Sequence, residues 1–518
     1  MKVLTAAQMR EVDRRTIEMG IPGTVLMENA GTRVVEFLAD GFAPLAQQRI
    51  VVFCGKGNNG GDGMVVARQL FTQYHPQSLT AVLVGDPAQM KGEAAENYHM
   101  LAASGCPITR DAQAAFADIK IVLDALLGTG LNGPVTGPMR EVIRRINTGF
   151  PGAKIVAVDI PSGLGSDTGE LLGESVRADY TVTFTAPKVG QVLPPACDQV
   201  GELRIRQIGS PPELYENNNS IFLSFIERAQ FRQLFAPRPR NAHKGSFGHV
   251  LVIAGSRGKT GAAAMSGMAA LRAGAGLVTV ASTEWALPVI ASHAPELMTE
   301  PLPETEAGSL SMRAFETGAL PKIVKNMTVL TIGPGLTTHP ETAALVRRAF
   351  ETFEQPMVVD ADGLNALAEA DWSGRGRPRV LTPHPGEMSR LTGKPTSEVQ
   401  KDRVAAARSF ACQRQVSVVL KGQRTLIAFA DGRVWINPTG TPAMATGGTG
   451  DILTGLISGF LAQFPQEPEQ AIAAAVYLHG LAGELGAREL GEKCLIATDL
   501  LRYLPSAMEL CAHVSDRL

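Results

Sequence analysis

Eleven short apolar runs rich in β-branched residues alternate with stretches of helical period along this chain, and no other feature limits the fold as much. RIVVFCG, LTAVLVGD, IKIVLDALLG, AKIVAVDIPSG and ADYTVTFTAP fill the first two hundred residues; GHVLVIAGS, GLVTVAS, MTVLTIGPG, QPMVVDADG, RPRVLTPHPG and VSVVLKG follow in the second half. A strand that is apolar throughout must be covered on both faces, so such runs separated by helices predict a mostly parallel sheet between helical layers. The expected fold class is α/β. Between the two sets lies SPPELYENNNS (210–220), polar, with a Pro pair and three successive Asn. It predicts a domain over 1–215, a linker over 216–224 and a second domain over 225–518. At 518 residues and 45% hydrophobic, the chain is long enough for two cores.

Charge narrows the partners. Lys and Arg number 48 against 50 Asp and Glu, a net charge of -2 with both signs interspersed, so nothing marks a nucleic-acid or membrane surface and small molecules are the expected ligands. MKVLTAAQMREVDRR carries charges where a secretory signal needs an apolar stretch, and no apolar run reaches spanning length, which predicts a cytoplasmic protein. The six cysteines show no ligand spacing, which argues against disulfides and zinc.

In VVFCGKGNNGGDGMVVARQL (51–70), Gly55, Gly57 and Gly60 form a GxGxxG between an apolar run and a helical one. A dinucleotide turn of this kind lets backbone N–H groups approach a pyrophosphate and places an acid about 20 residues on, where Asp86 is a poorly placed candidate. The alternative is a tight turn with no ligand. Asn58, Asn59 and Asp62 add amide and carboxylate groups, and a carboxylate repels phosphate. The stretch therefore suits a hydroxylated or cationic part of a ligand, or a cation held by oxygens. Asp124 in DALLGTGL and Asp159 in VDIPSG close two further runs. Each alone can cap a turn, whereas three carboxylates at neighbouring strand ends point to a site.

GKGNNGGDG, DALLGTGL and VDIPSG, in that order, resemble the YjeF N-terminal domain, the NAD(P)HX epimerase family, over about residues 1–212. The resemblance implies a Rossmann-like three-layer domain. It also implies that Asn58, Asn59, Gly60, Gly61 and Asp62, with Gly128, Thr129, Gly130, Leu131, Asn132, Gly133 and Pro134, hold the hydrated nicotinamide dinucleotide. Asn59, Asp124 and Ser162 are implied as potassium ligands and Asp159 as a substrate contact.

The second half offers a different device. TPAMATGGTGDILTGLISGFLAQF (441–464) sets a glycine-rich turn before an apolar helix predicted to start at Asp451, so the N–H groups of Gly447–Gly450 would form an anion hole at the positive end of the helix dipole. Asp451 can be a plain helix-start carboxylate; beside an anion hole it can also take a hydroxyl proton during phosphoryl transfer. Lys421 and Thr425 in VVLKGQRTLIA offer a phosphate contact at a strand end, and His384 lies between two prolines in LTPHPGEM. GKT at 258–260 has Ile253 where the first Gly of a phosphate-binding P-loop belongs, which excludes that motif.

GGTGD, VLKGQRT, VVDADGLNAL, LTPHPGEM and HKGSFGHVLVIAGS resemble the YjeF C-terminal domain, the ADP- or ATP-dependent NAD(P)HX dehydratase of ribokinase-like α/β fold, over about 225–505. The resemblance implies adenine-nucleotide contacts from Lys421, Gly422, Gln423, Arg424, Thr425 and Gly450, and hydrated-dinucleotide contacts from Ala262, Gly335, His384 and Asp451. Both halves in one chain look like bifunctional NAD(P)H-hydrate repair, acting on NADHX and NADPHX, with K⁺ in the epimerase domain and Mg²⁺ entering with ADP in the dehydratase domain, in a homo-oligomer of which a homotetramer is one form. Asp451 and Asp159 are the expected catalytic residues. The rival reading is a ribokinase-like small-molecule kinase with a non-catalytic N-terminal binding module.

Overall fold

The computed structural model describes residues 1–131, 133–368, 370–374 and 376–513. The chain divides into two compact units, Met1–Leu223 and Ser224–Leu518.

The first unit holds a seven-stranded sheet of β1 (Arg49–Cys54), β2 (Ser78–Leu83), β3 (Ile108–Thr109), β4 (Ile121–Ala125), β5 (Lys154–Val158), β6 (Tyr180–Phe184) and β7 (Glu202–Arg206). Their order is β3-β2-β1-β4-β5-β6-β7, with every pair parallel. Residues of β1 alternate between two cores: Ile50, Val52 and Cys54 join one, Val51 and Phe53 the other. That is why its sequence is an unbroken apolar run. β3 and β7 escaped the sequence reading because IT is too short and ELRIR alternates like a half-covered strand.

The second unit holds a ten-stranded sheet formed with β8 (Leu223–Phe225), β9 (His249–Ile253), β10 (Leu277–Thr283), β11 (Met298–Leu302), β12 (Val329–Ile332), β13 (Met357–Val359), β14 (Arg379–Leu381), β15 (Ser417–Leu420), β16 (Leu426–Ala428) and β17 (Val434–Ile436). Their order is β11-β10-β9-β12-β13-β14-β15-β16-β17-β8. It is parallel from β11 to β15, then closes in antiparallel pairs from β15 to β17. The 421–425 segment is thus the turn of a hairpin.

In each sheet the chain runs outward, returns beside its first central strand and continues the other way, so β1/β4 and β9/β12 are switch points. Loops part there above the carboxyl ends of the strands, leaving room for ligands. Among the described residues no helix is long and apolar enough to cross a membrane.

Candidate functional sites

The first site opens beyond β1 and β4. Gly55 lies so close to the Leu126 carbonyl that a Cβ would sit 1.9 Å from the oxygen, and a Cβ on Gly60 would meet the Gly55 carbonyl at the same distance. These glycines let two strand-end turns touch. Within GNNGGDG, Gly57 is the extended N-cap of the helix Asn58–Gln69, and Asn58 to Asp62 form its first turns. A cleft of about 800 Å³ is lined by Asn58, Asn59, Asp62, Gly128, Thr129, Gly130, Leu131 and Asp159. Gly61 packs against Met27, and Pro134 lies beside Gly173. Asn132 lies outside the described residues. Asp86 accepts from the Ala88 N–H at the turn Pro87–Gln89.

Of the three aspartates expected at neighbouring strand ends, none shares the others' setting. Asp62 is on the helix, and Asp159 follows β5 with a left-handed φ of 60°. Asp124 lies within β4, fully buried. Its carboxylate accepts from Ser162 Oγ at 2.6 Å, Ser162 N at 2.7 Å and Leu126 N at 3.3 Å. Burial pushes its pKa up to about 6 against the pull of those bonds. Asn59 donates Nδ2 to the Leu127 carbonyl at 3.0 Å and leaves Oδ1 buried without a partner. Asn59, Asp124 and Ser162 thus gather around the turn after β4.

Sequence reasoning missed the cation beneath Asp159. Lys188, 1% exposed, follows β6 in TAPKVG and donates to Asp159 Oδ1 at 2.5 Å, Thr183 Oγ1 at 2.9 Å and the Phe184 carbonyl at 3.2 Å. Thr183 Oγ1 donates to the same Asp159 oxygen at 2.9 Å, and Gln191 Nε2 holds the Asp159 carbonyl. Asp13, on the helix Ala6–Glu18, also lines the cleft. Burial raises its pKa to about 6, and raises that of Asp62 well above the usual carboxylate range; in both cases Asp159 adds to the rise and Lys188 opposes it. A lone lysine past a strand carried no signal that distinguished it from a solvated one.

The second site gathers around the helix Thr449–Gln463, which starts two residues before the predicted Asp451. Gly448 caps it with φ 92°, and Asp451 sits in the first turn, where the free N–H groups concentrate positive potential. Burial pushes the Asp451 pKa up to about 7, with Asp360 adding to the rise and Lys421 opposing it. Lys421 lies beside Asp360 Oδ1 at 2.8 Å and Glu387 Oε2 at 3.7 Å, while Thr454 Oγ1 donates to Asp360 Oδ2 at 2.7 Å. Burial works against its ammonium, yet these carboxylates hold it above the usual lysine range. A Cβ on Gly450 would lie 3.4 Å from that ammonium, so the glycine turn and Lys421 are neighbours.

Ala262 and Gly335 also meet, since a Cβ on Gly335 would lie 3.2 Å from the Ala262 methyl. The His384 ring caps the helix Pro385–Thr392, with Nδ1 accepting from Gly386 N and Glu387 N. Arg424 donates to the Pro438 carbonyl and stacks on Phe225, Thr425 Oγ1 donates to the Gly422 carbonyl, and Gln423 lends its carbonyl to Arg403. Asp360, Glu387 and Thr454 were not singled out in the sequence, because VVDADG and HPGEM read equally well as strand-end turns. Among the described residues no group of three or more His, Cys, Asp or Glu is set to hold a metal.

Two family models match: one described as a YjeF-related protein N-terminus at residues 23–190, the other as NAD(P)H-hydrate dehydratase at 250–506. A bifunctional NAD(P)H-hydrate repair enzyme of Moorella thermoacetica is 42% identical over 98% of this chain and 96% of its own length. One from Thermofilum pendens is 39% identical with the same two coverages. Among solved structures, a ribokinase-like superfamily protein from Enterococcus faecalis V583 is 30% identical with a TM-score of 0.50, over 57% of this chain and 99% of that one.

Proposed function

The chain belongs to the bifunctional NAD(P)H-hydrate repair enzymes, and from that premise we propose how its two sites divide the work. The rival reading, a small-molecule kinase with an inert N-terminal module, finds no support in relatives matched along nearly the whole chain. The first unit interconverts the R and S hydrates, and the second dehydrates the S form at the expense of ADP, giving AMP and phosphate.

The hydrate carries a hydroxyl at C6 of the nicotinamide ring, beside the ring nitrogen, and hydroxide leaves poorly at neutral pH. Asp451 takes the hydroxyl proton while that oxygen attacks the terminal phosphate of the magnesium nucleotide, and the amides of the 447–450 turn offset charge on the transferred group. The ring nitrogen then expels phosphate, and loss of a C5 proton restores the reduced cofactor. The observation that supports this most directly is the setting of Asp451: a carboxylate with its pKa brought near neutrality, in the first turn of a helix entered through glycines. Lys421 and the hairpin turn through Thr425 form the nucleotide side; Ala262, Gly335 and His384 form the dinucleotide side.

In the first unit the dinucleotide lies in the cleft against Asn58–Asp62 and the turn from Gly128. Asn59, Asp124 and Ser162 fit a potassium ion, since a buried carboxylate there has only neutral donors and the Asn59 Oδ1 has none. When bound, the ion supplies a fixed positive charge that offsets Asp124 and ties the turn after β4. The working form is a homo-oligomer.

Mixed R and S hydrates incubated with the full chain, ADP and Mg²⁺ should regain reduced-nicotinamide absorbance completely. Absence of any recovery with either ADP or ATP would end this reading.

A further inference from the structure

We propose that Asp62 is the proton donor of the epimerase cleft, acting across from the Asp159 carboxylate that Lys188 holds in place. This rests on reading the first unit as an epimerase. Asp62 lines the cleft from the helix Asn58–Gln69 with no hydrogen-bond or ion-pair partner among the described residues, while Asp159 lines it from the turn after β5. Lys188 spends its three protons on Asp159 Oδ1, Thr183 Oγ1 and the Phe184 carbonyl. It has none left for substrate and is a positioning residue. Both lysine and threonine bond the same Asp159 oxygen, so Oδ2 is the one without a protein partner.

Four carboxylates, those of Asp13, Asp62, Asp159 and Glu93, share the cleft with the buried Lys188 ammonium, and Arg10 and Lys56 also lie on its walls. Lys56 is engaged with Gln89. Of the four carboxylates, Lys188 pairs with Asp159 alone. Burial and the charge of Asp159 both favour the protonated form of Asp62, and Asp13 is under the same pressure. A carboxyl group whose surroundings favour its protonated form, facing a carboxylate held by an ion pair, offers an acid and a base.

The chemistry requires both. The Asp62 proton passes to the C6 hydroxyl as the C6–O bond breaks, water departs, and the ring-nitrogen pair forms C6=N. Water returns to the opposite face of C6, the new C–O bond forms, the pair goes back to nitrogen and the released proton goes to Asp159. Addition of water to an iminium carbon needs only a weak base, whereas expelling hydroxide needs an acid. Exchange with solvent restores Asp62–H and the Asp159 carboxylate, and in the reverse direction Asp159 gives the proton and Asp62 takes it.

The test uses the full chain with excess ADP and Mg²⁺, separate R and S hydrates, and H₂¹⁸O. Asp62→Asn should slow R-hydrate consumption about 10²–10⁴-fold with little change in KM, while S-hydrate dehydration in the second unit reports an intact protein. Asp62→Glu should restore part of the rate. Lys188→Met should move the acidic limb of the R-hydrate pH profile upward, a change that loss of packing alone would not give. The wild-type chain should incorporate one solvent oxygen per inversion. An Asp62→Asn chain that consumes R-hydrate at the wild-type rate, or inversion without oxygen exchange, overturns the proposal and leaves the epimerase reading standing. A wild-type chain no faster than spontaneous inversion overturns both.

Discussion

Asp451 occupies a placement that suits both a helix-start carboxylate and the base proposed for the second site. A carboxylate in a helix's first turn is stabilised by the dipole by about 0.3–1 kcal/mol, which suffices to account for an acid after GGTG. The tertiary neighbours decide otherwise: burial and Asp360 push the pKa to about 7, far above what the dipole alone would give. Two predictions belong here. Asp451→Asn should retain nucleotide binding, measured by calorimetry, and lose dehydration by about 10²–10⁴-fold. In the wild type, kcat/KM for S-hydrate should fall as pH drops through about 7, because the base must be ionised. The stability effect has the opposite sign: with the folded pKa above the unfolded one, this group costs stability as pH rises from about 4 toward 7, where only the unfolded state ionises. Replacing Asp451 by Asn should flatten that part of the stability curve in urea titrations.

Elements hold Asp451 in its place at the second site. The helix Thr449–Gln463 lies against the helix Thr260–Ala273, and glycines allow the backbones to meet. A Cβ on Gly455 would lie 2.2 Å from the Ser266 carbonyl, and one on Gly459 would lie 2.7 Å from that of Ala270, so the contact advances four residues on each helix. Ser266 Oγ donates to the Asp451 carbonyl at 3.1 Å, fixing the first turn. Gly455→Ala should therefore cost about 1–3 kcal/mol through overpacking and also lower dehydratase kcat, because the helices must part under the turn that carries Asp451. Thermal unfolding together with S-hydrate kinetics would check both; a destabilised variant with an unchanged kcat would separate packing from placement. The sequence marked this helix as apolar and glycine-rich, while the partner that requires those glycines lies almost two hundred residues away.

At the scale of the whole molecule, two mostly parallel sheets each carry one candidate site at a switch point, and the proposed function gives the first site a potassium ion. Exchange of K⁺ for a bulky organic cation should slow R-hydrate inversion and lower the melting temperature of the wild-type chain, the stability lost being about 2.7 kcal/mol where the ion stands at a hundred times its dissociation constant. Asp124→Asn should remove that K⁺ dependence. A melting temperature indifferent to K⁺ would take the ion away from Asn59, Asp124 and Ser162.

What the sequence alone determined was period and punctuation. Unbroken apolar runs such as RIVVFC can lie only in a sheet covered on both faces, and the Gly, Asp and Pro residues that end them mark where ligands approach; hence the two α/β units and most of the strand-end residues were legible. Which charged groups face one another was not, because that depends on strand order and burial rather than on neighbours along the chain. Strand order brought Lys188 under Asp159 and Lys421 beside Asp360 and Glu387, and placed Asp124 in β4 beneath the turn that follows it. The free energy that turns an aspartate into an acid or a base is a property of those surroundings, and they exist only once the sheets have formed.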